Sequence, residues 1–322
     1  MYHAFWYPSA GPDNRHPRSA SEATYLNAPA RLDLDSSALT TLALLHQALT
    51  RTVAESGGLN VTQYRLLLKA FEQPDRARIG DLAGALSLRS NVVTQAADHL
   101  QALRLVERVG QAEDGRRIAL VVTPGGQERI RTVDAALSAH IGEVSRPLSP
   151  DQAAQFREAI ESAGAGIECA TTTHVSAVTS AYVTGIAEAY RGVNAVVDQA
   201  ARTSFSECRV LLNVHEVGDR ARITDVALAL ALPTSTVTRA ANRLESRGWA
   251  RRASDPLDPR AVYVEPTAEG IRALDMLQEA LVSYGRWRLY RQLNERQQAV
   301  AWAANRLLAE SLSNARSQQV PG

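Results

Sequence analysis

The segment from Pro233 to Leu244 carries the side chains best suited to specific polar recognition in this chain of 322 residues. Its apolar residues recur at helical spacing and predict one buried stripe: Val237, Ala240, Ala241 and Leu244. The remaining side chains would then face away from the core: Thr234, Ser235, Thr236, Thr238, Arg239, Asn242 and Arg243. Arginine can donate two hydrogen bonds to a guanine edge, asparagine can pair with adenine, and hydroxyls suit phosphates or bases. The pattern therefore predicts a helix that contacts double-stranded DNA.

The neighbouring elements would hold that helix in place. A short helix is expected at about Thr224–Leu230, with Pro233 in the first turn of the next helix, where its missing N–H costs nothing. Alternating residues then predict strands at Trp249–Arg252 and Val262–Glu265, joined by the polar loop Ser254–Arg260. Helix, turn, helix and hairpin together indicate a winged helix-turn-helix. Further arginines extend the basic surface into the hairpin: Arg247, Arg251, Arg252 and Arg260.

The same pattern occurs twice. A shift of 144 positions places Gln63–Gly126 on Glu207–Gly270 without a gap, and the run Asp75–Ile79 recurs as Asp219–Ile223. Roughly a third of the aligned positions are identical, against the ~5–10% expected from ordinary residue frequencies. The chain is therefore expected to contain a duplicated domain. The DNA-facing candidates of the first copy are Ser90, Asn91, Thr94, Gln95, His99, Arg116 and Arg117.

The second copy resembles the MarR family of bacterial transcriptional regulators. The resemblance covers the second half in element order and is strongest in Ser235–Arg239, Leu244–Trp249, Asp255–Arg260 and Thr267–Gly270. It implies that Arg260, and Arg116 in the first copy, insert into the minor groove. It also implies a dimer interface made by the first and last helices of two protomers. Here those helices would pack within one chain, so the expected molecule is a monomer with two pseudo-symmetric repeats.

The expected fold is mainly α with small β-hairpin wings. Two winged helix-turn-helix domains would be related by a pseudo-two-fold axis and joined through a helical, dimer-like interface. We expect an N-terminal arm without its own core at 1–35, a first repeat at 36–165 and a second repeat at 175–316. The arm mixes aromatic residues with proline and serine and lacks a helical period.

The first copy departs from the family pattern in its reading helix. Gln95 and His99 stand where the second copy has Arg239 and Arg243, and Asp98 replaces Asn242. An acidic side chain facing DNA is repelled by phosphate unless it accepts a hydrogen bond from cytosine. Two interpretations follow. The first copy either reads a different half-site, giving an asymmetric operator, or mainly positions the second copy.

Composition excludes several classes of protein. The formal net charge of +1 does not suggest a coat of polyanion-binding charge, although it leaves room for a local basic face. Two cysteines, Cys169 and Cys208, are too few for a disulfide framework, and a reducing, cytoplasmic environment is expected. No metal-binding spacing, phosphate-binding glycine loop, nucleophile elbow or membrane-spanning run occurs. We therefore expect no enzyme activity, cofactor, metal or membrane association.

Two hypotheses about partners remain open at the level of sequence. Aromatic side chains and one histidine could line a pocket for an aromatic or lipophilic effector, or could simply pack in the interface. One lies on a second helix (Tyr64) and the others on the first and last helices: His46, Tyr182, Tyr190, Tyr284 and Trp287. A winged helix can also serve as a protein-interaction scaffold with weak or no specific DNA binding. The cations Arg239, Arg243 and Arg260 favour the DNA-binding alternative, because a scaffold does not require them.

Overall fold

The computed structural model describes residues 35–74, 77–111, 114–164, 177–254 and 261–285, with Asn294, Leu307 and Leu308. For residues 111, 114–117, 159–164, 177 and 178 it describes the backbone alone. The first half contains α1 (Ser36–Gly57), α2 (Val61–Glu72), α3 (Ile79–Ala85), α4 (Ser90–Ala102), β1 (Val106–Gln111), β2 (Asp114–Val122), α5 (Pro124–Ser145) and α6 (Pro150–Gly164). The second contains α7 (Ala177–Ala201), α8 (Phe205–Glu216), β3 (Ala221–Arg222), α9 (Ile223–Ala229), α10 (Thr234–Ser246), β4 (Ala250–Ser254), β5 (Val262–Pro266) and α11 (Ala268–Tyr284).

The described chain is mostly helical with small antiparallel sheets, as expected. Elements α2 to β2 will be called the first head, and elements α8 to β5 the second head. The predicted arm, apart from Asp35, the tip of the second wing (255–260) and most of the predicted last helix lie outside the described residues. Among the described residues, no helix is both long and apolar enough to cross a bilayer.

Local capping explains where the main helices begin and end. The Asp35 side chain accepts a hydrogen bond from the Ala38 backbone at the start of α1, and Gly58 ends that helix with a φ of 63°. Asn60 and Gln63 form a reciprocal capping box at the start of α2. The sequence prediction for Pro233 was slightly wrong. Pro233 is the residue before α10 rather than part of its first turn, and its fixed φ of −57° still leads into the helix.

Each hairpin is an antiparallel pair that also pairs with the residues just before the short second helix of its head, α3 or α9. Strands β4 and β5 pair from Ala250 opposite Pro266 to Ser254 opposite Val262, and β3 joins them through Ala221 opposite Val264. In the first head, a single bridge between Arg78 and Ala119 takes the place of β3. The sequence predicted both hairpins but not this third pairing. The strand bounds differ from the prediction by one or two residues in the second hairpin and by up to four in the first, where strands were expected at Val106–Val109 and Ile118–Val122.

The two halves place corresponding elements at a constant offset. Helix α2 begins at residue 61 and α8 at 205, α3 at 79 and α9 at 223, and α4 at 90 and α10 at 234, so each pair differs by 144. The same offset relates β1 to β4 and α5 to α11. The equal spacing follows the gap-free sequence repeat, because no loop between these starting points has gained or lost a residue.

The long helices α1 and α7 each contribute to two hydrophobic cores. The C-terminal half of α1 packs into the first head's core through Leu45, Leu49 and Val53, whereas its N-terminal half packs into the second head's core. Helix α7 does the reverse. Its N-terminal half packs into the first core and its C-terminal half, with Val193 and Val197, into the second. Each head is therefore covered by parts of both long helices.

Polar contacts follow the same reciprocal pattern. The Ser36 hydroxyl donates to Glu216, and the Ser180 hydroxyl donates to Glu72 Oε1 at 2.6 Å, so each long helix bonds to the opposite head. His46 of α1 stacks on Tyr190 of α7, with ring centroids 3.9 Å apart and 7° between the planes. Positions 46 and 190 also differ by 144.

Candidate nucleic-acid interface

Helix α10 is fixed to the second head by its apolar stripe. Its four stripe residues are 0–4% exposed: Val237, Ala240, Ala241 and Leu244. The preceding helix α9 ends at a tight turn in which Ala231 has a φ of 49°, so the chain reverses before α10 begins. With one face buried, the rotation of α10 about its own axis is set, and the opposite face points to solvent.

The predicted reading residues lie on that solvent-facing side. Thr234, Ser235, Arg239, Asn242 and Arg243 are exposed, and Thr236 and Thr238 are half-buried. The Thr238 hydroxyl donates to the Thr234 carbonyl at 2.9 Å within the helix. The structure therefore brings all seven predicted positions of the second head onto one helix. The Thr238 hydroxyl already donates its hydrogen bond to the backbone of that helix.

Arg239 is held only loosely. Its Nε lies 3.4 Å from the Ser235 carbonyl and one terminal nitrogen lies 3.5 Å from the Thr236 hydroxyl, both at the outer limit of a hydrogen bond. The guanidinium therefore keeps most of its five N–H donors for another molecule. Asn242 differs, because its side-chain oxygen accepts a hydrogen bond from Arg252 of β4. This contact joins the hairpin to α10.

Arg243 and Arg247 converge on a carboxylate that the sequence reasoning missed. Glu207, at the start of α8, is 2% exposed. Its Oε1 lies 3.2 Å from Arg243 Nη1, and its Oε2 lies 3.8 Å from Arg247 Nε. Arg247 also donates to the Arg202 carbonyl at 2.6 Å. The only available sequence signal was that Glu207 replaces Gln63 in the repeat.

The second hairpin carries a further cluster of charges. Glu265 of β5 accepts from Arg251 of β4 at 2.8 Å and lies 3.5 Å from Arg220. Arg220 in turn lies over the Tyr263 ring at 4.4 Å. Arg251 keeps 72% of its side chain exposed, so one carboxylate only partly offsets the cations of this wing. Arg260, the predicted minor-groove residue, lies outside the described residues.

The first head presents a similar helix with different chemistry. Helix α4 buries Val93, Ala96, Ala97 and Leu100, and it exposes Ser90, Asn91, Thr94, Gln95 and His99. Asp98 does not stand unpaired at this surface, because its carboxylate accepts from Arg108 of β1 at 2.6 Å. The pair occupies the positions of Asn242 and Arg252. Arg116 and Arg117 lie on β2, where the backbone alone is described.

The residues proposed for an effector pocket divide between the two cores. Tyr64 and Tyr182 are 1% and 3% exposed and belong to the first core. Tyr190 and Tyr284 pack against the second core, and the Tyr284 hydroxyl approaches the Glu188 carbonyl at 3.4 Å. His46 contacts Tyr190, as described above, and burial lowers its pKa. Trp287 lies outside the described residues.

The described part of the chain carries little other chemistry. Cys208 is 1% exposed, and burial raises the pKa of its thiol to about 12. Cys169 lies outside the described residues. Within the described ranges, no three histidine, cysteine, aspartate or glutamate side chains are grouped so that they could hold a metal ion.

Part of the second head matches a known protein family in sequence. The model of the MarR family matches residues 203–261. A MarR family transcriptional regulator from Streptomyces coelicolor, solved in complex with DNA, is 24% identical over 44% of this chain and 93% of its own, with a TM-score of 0.40. AbsC, a MarR family transcriptional regulator from the same organism, is 20% identical over 38% of this chain and 86% of its own, with a TM-score of 0.33.

A third solved structure, a mutant MarR from E. coli complexed with operator DNA, is 19% identical over 34% of this chain and 79% of its own, with a TM-score of 0.31. No curated protein sequence matches the chain. The family match spans α8, α9, α10 and β4, the elements that build the exposed arginine face. Residues 203–261 therefore match the MarR family in sequence, and the described elements α8 to β5 have the order of a winged helix-turn-helix.

Proposed function

We propose that this protein is a DNA-binding transcription regulator that acts as a single-chain pseudo-dimer. The observation that carries the proposal is the exposed face of α10, where Arg239 and Arg243 stand on a helix of a MarR-family domain. Such a helix fits the major groove, and its exposed side chains reach base edges. Arg251 and Arg252 of the hairpin would contact the flanking phosphates.

The arrangement of α1 and α7 supports the pseudo-dimer. In a two-fold dimer, every contact between residue i of one protomer and residue j of the other occurs twice. Here Ser36 bonds to Glu216, and the positions 144 residues away from each, Ser180 and Glu72, bond in the same way. The shared cores make the long helices the joint between the heads. The chain would then bind DNA as one molecule with two heads.

The heads are expected to contribute unequally. The second exposes Arg239 and Arg243 where the first exposes Gln95 and His99. Arginine adds both phosphate attraction and bidentate hydrogen bonding, so the second head is the stronger reader. In the first head, Arg108 neutralises Asp98. This head either reads a different half-site or mainly positions the second head.

Regulation by a small aromatic or lipophilic effector is part of the same proposal. The joint between the heads contains Tyr190, whose ring stacks on His46 and meets Phe205 edge-on. A ligand that separated these rings would change the spacing of the heads and shift the population that fits DNA. Such a ligand should raise the melting temperature and weaken DNA binding. Saturable stabilisation with unchanged DNA binding would argue against the regulatory role.

A protein-interaction scaffold is the second candidate, and one observation favours it. The outer face of the first hairpin exposes Val109 and Val121, at 45% and 48%, where the second has Ala253 and the paired Glu265. Exposed apolar side chains of this kind suit a protein partner better than a phosphate backbone. The scaffold would not need the second head's arginines.

DNA binding separates the two candidates. Fluorescence anisotropy with fragments of the upstream intergenic DNA, at several salt concentrations, should show specific binding with a steep salt slope. Arg239→Ala should cost about 1–3 kcal/mol and relax the base preference. The Arg239→Ala/Arg243→Ala protein should lose specific binding.

The matched control is Arg131→Ala/Arg146→Ala, which removes two exposed arginines paired with Glu128 and Glu143 along α5. This control should retain most of the specific affinity. Equal losses in the two double variants would mean that net charge alone governs binding. Binding that is weak and independent of sequence in the unmodified protein would support the scaffold.

A further inference from the structure

Glu207 connects the start of one helix to the reading helix of the second head. It is the third residue of α8, and the Ser204 hydroxyl before it caps that helix. The Thr203 hydroxyl donates to Glu207 Oε2 at 2.7 Å, and Arg243 Nη1 lies 3.2 Å from Oε1. The carboxylate is thus held from behind by a hydroxyl and faces the arginine on α10.

The contact restrains Arg243 without removing it from solvent. The Arg243 side chain remains 67% exposed, whereas Glu207 is 2% exposed. One terminal nitrogen is bonded, and the other N–H donors are free to point outward. A long arginine side chain loses rotamer freedom when it binds, and a restraint present before binding reduces that entropic cost.

The charge on Glu207 is maintained at neutral pH. Burial acts to raise its pKa, but hydrogen bonds from Thr203, Ser204 and Arg243 outweigh burial and hold the pKa below its usual value. The group is therefore a carboxylate under the conditions in which the protein would bind DNA. A buried negative charge beside a reading helix opposes phosphate, so a compensating role is needed to explain its place.

The first head lacks every member of this arrangement. The positions of Glu207, Arg243 and Arg247 are occupied there by Gln63, His99 and Leu103. Gln63 instead accepts a hydrogen bond from the Asn60 backbone in its capping box. The carboxylate and its two arginines therefore occur together in the second head and are absent together from the first.

We propose that Glu207 is a positioning residue that orients Arg243 for base recognition and so sets the sequence specificity of the second head. The inference rests on the proposed DNA-binding function. It assigns no DNA contact to Glu207 itself. Arg247, which binds the carbonyl at the end of α7 and lies 3.8 Å from Glu207, completes the same anchor.

The test asks whether loss of the Glu207 charge lowers the ratio of specific to non-specific DNA affinity, which loss of another nearby negative charge should not do. Glu207→Gln removes one negative charge and keeps a side chain that the first head accommodates at this position. Asp198→Asn is the matched control, because Asp198 is exposed and lines the same cleft of about 620 Å³ as Glu207 and Arg243. Anisotropy would give the dissociation constants of each full-length variant for the specific upstream fragment and for a scrambled duplex.

The positioning role predicts that Glu207→Gln lowers the ratio of specific to non-specific affinity by roughly tenfold, within the range of couplings between residues in contact. Asp198→Asn should leave that ratio unchanged, because it alters only the general field. In an Arg243→Ala background, Glu207→Gln should have no further effect on the ratio. Equal changes of the ratio in Glu207→Gln and Asp198→Asn would overturn the inference. Additive effects of Glu207→Gln and Arg243→Ala on the ratio would overturn it as well.

Two checks keep the result interpretable. If Glu207→Gln melts at a much lower temperature, Thr203→Val removes only the hydroxyl behind the carboxylate and should lower the ratio in the same direction by a smaller factor. An unchanged ratio in that folded variant would also contradict the positioning role. If the unmodified protein shows no specific binding, the proposed function fails. If the unmodified protein binds specifically and the Glu207 variants keep its ratio of specific to non-specific affinity, the positioning inference fails while the proposed function stands.

Discussion

At the level of single residues, the two heads differ in how their polar side chains are committed. In the first head, Asp98 and Arg108 neutralise each other. In the second, Arg252 reaches a neutral Asn242, and Arg239 has only two long contacts within its own helix. The second head therefore retains cationic donors that the first lacks. This difference is the residue-level reason for the proposal that the second head binds DNA more strongly.

Residue types predicted the exposed face of α10 but not the contacts that organise it. The apolar period showed which side chains face solvent, since helical spacing is a local property. The Glu207–Arg243 contact joins residues 36 positions apart on two helices. Its existence depends on how those helices pack, which no spacing rule reports.

The Cys208 thiol should be inert in the folded protein. It is buried, and a pKa of about 12 leaves only about one thiolate in ten thousand at pH 8. In a Cys169→Ser protein, Cys208 is the one remaining cysteine. Ellman's reagent should therefore react slowly in native buffer and rapidly in guanidinium chloride. Fast reaction in native buffer would contradict the burial of this thiol.

At the level of elements, each hairpin is joined to the long helix that follows it by a close backbone approach. A Cβ at Gly270 would overlap the Trp249 carbonyl oxygen, and a Cβ at Gly126 would overlap the Leu105 carbonyl oxygen. Thr267 and Thr123 cap the two helices at the same junctions. The glycine in the motif Thr267–Gly270 is therefore required for space between β4 and α11.

Gly270→Ala is expected to destabilise the second head by about 1–3 kcal/mol or more, because the overlap is with backbone that cannot move aside easily. Gly142→Ala is the matched control. Gly142 lies in α5, is exposed, and has nothing within 4 Å of its Cβ position, so alanine should stabilise that helix by about 0.5–1 kcal/mol. Urea denaturation of both variants measures the difference. Similar stabilities would mean that the junction relaxes without cost.

Most helix bounds were predictable because caps and apolar periods are local signals. The short helix expected at about Thr224–Leu230 occurs as α9 at Ile223–Ala229, one residue earlier at each end. The short strand β3 was not predicted. Two residues carry no period of their own, and Ala221 becomes a strand residue only by pairing with Val264 much later in the chain.

At the level of the whole molecule, the two heads share the long helices α1 and α7. Helices α1 and α7 divide their apolar residues between both cores, so neither head has a complete core without the other half of the chain. The gap-free repeat predicted two similar units, and the family resemblance predicted their helical joint. The reciprocal contacts of Ser36 with Glu216 and Ser180 with Glu72 could not be predicted, because they depend on how the helices cross.

The mass of the specific protein–DNA complex shows directly whether one chain or two chains bind each duplex. Size-exclusion chromatography with light scattering would be applied to the shortest upstream fragment that binds specifically. A single-chain pseudo-dimer should give one 34.9 kDa chain per duplex and a non-palindromic footprint, and Arg239→Ala should remove the side of that footprint that belongs to the second head. Two chains per duplex on a palindromic site, or no sequence-specific complex with any upstream fragment, would contradict it.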